Sequence, residues 1–310
     1  MILDFKGRHI ISIKQFTKEE LEYILKAANQ MEKYYKTGSD LLKGKILATL
    51  FFEPSTRTRL SFTSAMYKLG GEVISLSNPE MSSIKKGENL TDTISVVQSY
   101  ADVIVLRHEL EGSAKLMSEV SQIPIINGGS GTKEHPTQAM LDLLTIKNEM
   151  NGKIDGLKIA ICGDLKYGRT VKSLAYALSH YDVELYFVSP PSLRMRHEVI
   201  SDLHSLNVKF KELNDLSEII PELDILYVTR IQSERFPDPA DYAKVKGSYR
   251  IDVSMLNRAK ENLKILHPLP RVEEIDYEVD HTKYARYFQQ AYYGVILRMA
   301  LLALVLGGSF

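Results

Sequence analysis

Ile46-Leu47-Ala48-Thr49-Leu50-Phe51-Phe52-Glu53-Pro54-Ser55-Thr56-Arg57-Thr58-Arg59-Leu60-Ser61-Phe62 is the stretch on which the reading of this chain turns. The apolar run Ile46 to Leu50 reads as a buried strand that breaks at Glu53-Pro54 into a helix capped by Ser55. A helix start offers unpaired backbone N–H groups and the positive end of the dipole, and Ser55, Thr56, Arg57 and Thr58 add donors at the same point. Two readings follow: a phosphate cradle, or an ordinary serine cap followed by solvated arginines. Local spacing does not choose between them.

Upstream, Thr17-Lys18-Glu19-Glu20 has the spacing of a capping box, and Leu21, Ile24, Leu25, Ala28 and Met31 recur at helical intervals. Downstream the chain alternates. A strand over 72–76 is followed by a polar stretch, 77–88, with little to bury, which reads as a surface lid. A helix over about 90–100 leads to a strand over 102–106 that delivers Arg107 and His108, and a helix near 112–120 leads to a strand over 123–127. Gly128-Gly129-Ser130-Gly131 is expected to open a loop, with Pro136 in the first turn of the next helix and His135 and Gln138 at its start. The polar link 151–156 reads as a domain boundary, giving domains 1–150 and 151–287, with the terminal helix 288–310 assigned to the first. Beyond the link, strands are expected over 158–162, 185–188, 208–210, 224–229 and 263–266, and a second long loop over 233–248.

Alternating strands and helices argue for two open, mainly parallel α/β sheets flanked by helices, which bind ligands beyond the carboxyl ends of their strands. Arg57, Arg107, His135, Arg169, Arg230 with Gln232, and His267 with Arg271 all follow expected strand ends. Each alone reads as a solvated loop residue or a satisfied cap; their coincidence favours a cleft for anions.

The chain has 310 residues, enough for two cores, and a single cysteine, Cys162, inside an apolar run. No internal disulfide is therefore possible, and a reducing compartment, the cytosol, is expected. Lys plus Arg and Asp plus Glu both number 39, so no global field favours nucleic acid or a membrane surface. Met1 to Lys6 lacks a signal-peptide core, and Met299 to Leu306 is too short an apolar run to span a bilayer. No Cys/His cluster has metal-ligand spacing. Gly163-Asp164-Leu165-Lys166-Tyr167-Gly168 departs from the dinucleotide fingerprint, so no cofactor is expected. Arginines, hydroxyls and a histidine suit holding two anions together and stabilising an oxyanion, which is group transfer rather than serine hydrolysis.

Seven motifs in order carry a resemblance: Phe51-Phe52-Glu53-x-Ser55-Thr56-Arg57-Thr58-Arg59, Lys85-Lys86-Gly87-Glu88, Val105-Leu106-Arg107-His108, His135-Pro136-Thr137-Gln138, Gly163 to Thr170, Thr229-Arg230-x-Gln232-x-Glu234-Arg235, and His267-Pro268-Leu269-Pro270-Arg271. Nearly end to end, the sequence resembles the catalytic chains of the aspartate carbamoyltransferase family. Ornithine carbamoyltransferases share Ser-Thr-Arg-Thr but end the last site strand in His-Cys-Leu-Pro. They remain the alternative substrate class, and a non-catalytic anion-binding scaffold the alternative of another kind.

The resemblance implies carbamoyl transfer from carbamoyl phosphate to L-aspartate in pyrimidine synthesis. It places the phosphate on Ser55, Thr56, Arg57, Thr58 and Arg107, and the carbamoyl oxygen on His135, Arg107 and Thr58. The carbamoyl NH2 would meet Gln138 and the carbonyls of Pro268 and Leu269, and the aspartate carboxylates would meet Arg169, Arg230 and Gln232. It also implies a homotrimer in which Ser82 and Lys86 enter a neighbour's site, a Glu53 link to Arg169 and Arg235 on domain closure, and a cis bond at Leu269-Pro270. A separate regulatory chain accompanies many such proteins, and the sequence leaves its presence open. Glu134, beside His135, departs from the usual pattern: it either raises the histidine pKa or points away.

Overall fold

A computed structural model describes residues 3–76, 86–236 and 238–308. The chain divides into two compact units, Met1–Leu144 with Tyr292–Phe310, and Thr145–Ala291.

In the first unit, β1 (Ile46–Phe51), β2 (Glu72–Leu76), β3 (Val103–His108) and β4 (Ile125–Ser130) form a parallel sheet in the order β2-β1-β3-β4. β1 and β3 are apolar almost throughout because helices cover both faces of a central parallel strand. Ala48, Leu50, Ile104 and Leu106 pack against Ile94 and Met117 from α3 (Leu90–Val97) and α4 (Ser113–Val120). The expected capping box opens α1 (Lys18–Thr37): Glu20 N donates to Thr17 Oγ1, and Thr17 N donates to Glu20 Oε2. α2 (Thr56–Lys68) follows β1, and α5 (Pro136–Glu149) follows β4.

The fourth strand departs from expectation. It runs through Gly128 and Gly129 to Ser130 instead of stopping at Asn127. The glycines extend the pairing because the space beside Gly128 is narrow: a Cβ there would lie 3.2 Å from Val105 Cγ1 on β3. His108 pairs with Ser130 across a register shift, so the strand bends as it ends.

The second unit has the order β7-β6-β5-β8-β9, again parallel: β5 (Lys158–Cys162), β6 (Glu184–Val188), β7 (Lys209–Leu213), β8 (Ile225–Val228) and β9 (Lys264–Leu266). α6 (Arg169–Leu178) and α7 (His197–Ser205) lie between strands in sequence. The expected loop over 233–248 instead contains α8 (Pro239–Val245), followed by α9 (Val253–Leu256). Pro239 occupies the first helical position, where its missing N–H costs nothing, and Asp238 caps by accepting from Ala240 N at 2.8 Å.

α10 (Tyr287–Leu306) closes the described chain. From Tyr292 onward it belongs to the first unit: Gly7 N donates to Val305 O at 2.9 Å, and the Tyr292 ring stands edge-on to Tyr35 at 4.8 Å. By length and composition the whole helix would pass for a membrane span, but most of it is buried inside the protein.

Candidate functional site

Strand order reverses once in each sheet, between β1 and β3 and between β5 and β8. The loops leaving neighbouring strands diverge there and open a crevice at their carboxyl ends.

At the first crevice, Phe51 on β1 pairs in register with Arg107 on β3. β1 leads through Glu53-Pro54 into α2. Ser55 occupies the N-cap position with extended backbone, but its side chain makes no capping hydrogen bond. The Ser55 side chain therefore does not occupy the N–H groups of the first turn, at the positive end of the helix dipole. Thr56 and Arg57 are exposed at this end, whereas Thr58 faces inward and is buried. Its Oγ1 lies 3.4 Å from Nε2 of His135, also buried, which stands just before α5. Arg107 is 8% exposed; its Nη1 donates to Gly128 O at 3.2 Å, and its Nη2 lies 3.4 Å from Glu53 Oε1. Gln138, in the first turn of α5, donates from Nε2 to Asp142 Oδ1 at 2.8 Å. Neighbouring His108 has its pKa pushed down by burial, against the charges of Glu109 and Glu53.

The structure thus brings together Ser55, Thr56, Arg57, Thr58, Arg107, His135 and Gln138 around one crevice, and engages Glu53 there with Arg107. Glu134 turns away from His135: its Oε2 accepts from Ile13 N at 3.2 Å. Lys86 is exposed, and Ser82 lies outside the described residues, as does most of the expected lid.

At the second crevice, β5 leads directly into Gly163, whose φ is +121°. A Cβ at that position would lie 2.1 Å from Thr229 O, just beyond β8, so only glycine lets the two strand ends approach this closely. Asp164 follows, fully buried. Burial pushes its carboxyl pKa up, opposed by backbone N–H groups of Tyr167, Gln232 and Lys166 and by the charge of Lys172. Its Oδ1 accepts from Tyr167 N at 2.9 Å, fixing the turn that delivers half-buried Arg169 to the first position of α6. Arg230 extends from the loop after β8, beside Gln232. Both its terminal nitrogens donate to the Glu234 carboxylate, one at 3.0 Å. That contact raises the Arg230 pKa and holds Glu234 below the ordinary carboxylate range. A cavity here is lined by Gly163, Thr229, Arg230, Tyr242, Lys246 and Tyr249.

After β9, Leu269 N donates to His267 Nδ1 at 2.8 Å. The imidazole proton therefore sits on Nε2 and donates to Glu274 Oε1 at 2.7 Å. Burial pushes the Glu274 carboxyl up, but the hydrogen bond and charge of His267 and backbone donors outweigh it and hold the pKa low. This arrangement folds the half-buried Pro268 and Leu269 over the strand end, with a cis bond at Leu269-Pro270 as expected. His267 and Arg271 themselves do not offer free groups to an anion. His267 is buried in this pair, and Arg271 is held by Asp280 and by Tyr287 OH at 3.0 Å. The sequence reading missed Asp164, Tyr242 and Lys246. Asp164 was visible inside a motif already singled out, whereas the other two lay in a stretch taken for loop.

The sequence model described as "Aspartate/ornithine carbamoyltransferase, carbamoyl-P binding domain" matches residues 8–148, and "Aspartate/ornithine carbamoyltransferase, Asp/Orn binding domain" matches 155–305. The chain belongs to the aspartate/ornithine carbamoyltransferase family. The family's carbamoyl-P domain contains the first crevice, and its Asp/Orn domain contains the second. The chain is 58% identical over 307 residues, 98% of its length and 99% of the relative's, to the aspartate carbamoyltransferase catalytic subunit of Thermococcus kodakarensis. It is similar to the solved catalytic subunit of M. jannaschii aspartate transcarbamoylase, at 56% identity and TM-score 0.88, covering 96% of this chain and 97% of that one. It is also similar to the Trypanosoma cruzi aspartate transcarbamoylase solved with carbamoyl phosphate and aspartate, at 40% identity and TM-score 0.93, covering 97% and 98%.

Proposed function

We propose that the chain transfers the carbamoyl group of carbamoyl phosphate to the amine of L-aspartate, giving N-carbamoyl-L-aspartate and phosphate, in pyrimidine synthesis. The observation that carries this reading is the first crevice, where the uncapped start of α2, buried Arg107 and the Thr58–His135 contact converge on the space an acyl phosphate would fill. Relatives at more than half identity are named for aspartate, which favours it over ornithine as the acceptor.

In this reading Ser55, Thr56, Arg57, Thr58 and Arg107 hold the phosphate. The aspartate amine attacks the carbamoyl carbon, and negative charge builds on the carbonyl oxygen, which Arg107, Thr58 and His135 stabilise by donating to it. The bond from carbon to the bridging oxygen then breaks, phosphate leaves with the electron pair, and the proton shed by the nitrogen passes to the departing phosphate. His135 acts as a donor rather than as the base. Gln138 and the carbonyls of Pro268 and Leu269 accept from the carbamoyl NH2, while Arg169, Arg230 and Gln232 hold the aspartate carboxylates. Arg230 exchanges Glu234 for substrate, and Glu53 links to Arg169 and Arg235 as the domains close. Turnover needs neither metal nor nucleotide. The assay is carbamoyl phosphate with aspartate or with ornithine, read as product and phosphate release; turnover with ornithine, or binding without turnover, would sink the proposal.

The same reading makes the protein a cytosolic homotrimer with shared sites, Ser82 and Lys86 reaching into the neighbour's crevice; that similar relatives are named catalytic subunits favours a separate regulatory chain as a further partner. Arg57→Ala spoils the main half of a site and Lys86→Ala the donated half, so each homotrimer should be nearly inactive. Mixing and refolding them should restore about one site in four, because hybrids contain sites with neither defect. A mixture whose hybrids are verified by native mass spectrometry, yet which remains as inactive as its parents, rules out sharing.

A further inference from the structure

We propose that Asp142 is a positioning residue that, through Gln138, sets which end of an amide faces the carbamoyl group. The inference rests on the function proposed above and assigns the recognition of the substrate NH2 to a buried pair on α5, with the charge of a buried arginine on α10 acting on it. Gln138 and Asp142 lie one turn apart on α5, and Asp142 is fully buried. An ionised carboxylate can only accept, so it takes the Nε2 end of Gln138, at 2.8 Å, and leaves the Oε1 end to face another donor. The carbamoyl NH2 of the proposed substrate is such a donor; a methyl or an oxygen is not. Gln138 alone would show no preference, because its two amide ends have nearly the same shape.

The buried positive charge that acts on Asp142 is Arg298, on α10. Burial lowers the Arg298 pKa to about 10, and the charge of Asp142 works against that fall. Its Nη1 donates to Gly294 O at 3.0 Å, and its guanidinium stands 5.1 Å from the ring centroid of Phe62, on the helix whose first turn carries Thr56, Arg57 and Thr58. Gly294 supplies the room: a Cβ there would lie 2.7 Å from Nη1. A protonated Asp142 could donate to Oε1 and let the amide turn over, presenting a donor to a donor.

The probes are carbamoyl phosphate and acetyl phosphate, which differ in the NH2 against a methyl. Equilibrium binding to the whole protein is measured for wild type and for Asp142→Asn, whose amide can donate to Gln138 Oε1. Wild type should prefer carbamoyl phosphate, and the variant should lose about tenfold of that affinity while holding acetyl phosphate within about twofold of wild type. In a Gln138→Ala background the same substitution should cost nothing further for either ligand. If Asp142→Asn folds poorly beside an uncompensated Arg298, the Asp142→Asn/Arg298→Met pair removes both charges and should show the same selective loss. Equal weakening of both ligands would make Asp142 a support of the phosphate cradle and overturn the inference, as would an unchanged preference in the variant. A wild type with no preference between the two would overturn the role of Gln138 itself, a failure of the proposed function.

Discussion

At the first crevice Arg107 is pinned by tertiary structure: a neighbouring strand's carbonyl, the Glu53 carboxylate, and burial that leaves it 8% exposed. At the second, Arg230 is held by Glu234, four residues along the same loop, a carboxylate that is itself 52% exposed. The first arrangement cannot change without disturbing the sheet, whereas the second is a local contact that an incoming carboxylate can replace. If the crevices take the ligands proposed above, phosphate would meet a preorganised site that costs little on binding, and aspartate would meet a site that begins satisfied and must trade one partner for another.

The comparison is broken most directly at Arg107. Arg107→Met should lower kcat by about 100-fold or more, since it removes a preorganised donor and leaves Glu53 without that partner. Steady-state kinetics at saturating substrates decide it; a change confined to KM would mean that the first crevice is no more rigid than the second. The glycines at the two strand junctions give the next effect. Gly163→Ala forces a Cβ to within 2.1 Å of Thr229 O at a φ of +121°, and should cost about 3 kcal/mol or more. Gly128→Ala meets Val105 Cγ1 at 3.2 Å and should cost about 1 kcal/mol. Urea unfolding of both variants ranks them, and a reversed order would place the tighter junction in the wrong unit.

Arg230→Lys, which loses the fork geometry, should raise the aspartate KM by about tenfold and leave carbamoyl phosphate binding as it was. Equal losses for the two substrates would show that the crevices do not divide the ligands between them. The smallest effect concerns pH. Glu234 is held below its unfolded value by Arg230, so the pair's contribution is present above about pH 4.3 and is lost as pH falls through the lower, folded value. Glu234→Gln should therefore flatten the acid limb of stability slightly; chemical denaturation at stepped pH that shows identical limbs would mean the contact contributes nothing.

How much of this was legible in the sequence depended on range. The capping box at Thr17, the strand into Ser55 and the cluster after each strand could be read because their signals lie within a few residues. The extension of β4 through Gly128 and Gly129 was missed because it depends on Val105 and Leu106 lying alongside, and glycine in isolation signals a break. α8 was missed because Pro239 reads as a breaker unless Asp238 is recognised as its cap. His267 and Arg271 were read as facing the cleft from position alone; their carboxylate partners, Glu274 and Asp280, were invisible as partners until the loop had folded. Arg298, just before the apolar run Met299 to Leu306, was not singled out, and nothing local pairs it with Asp142.

The chain leaves the first unit within α5 and rejoins it within α10, so that unit is completed by residues made only after the whole of the second. On the ribosome its sheet can assemble early, but the faces of α1, α2 and α5 that receive Tyr292, Arg298 and Gly294 stay uncovered until the second unit has been synthesised. The unit translated first is the one finished last, and a nascent chain must keep an apolar surface from foreign partners for the time it takes to make the inserted domain.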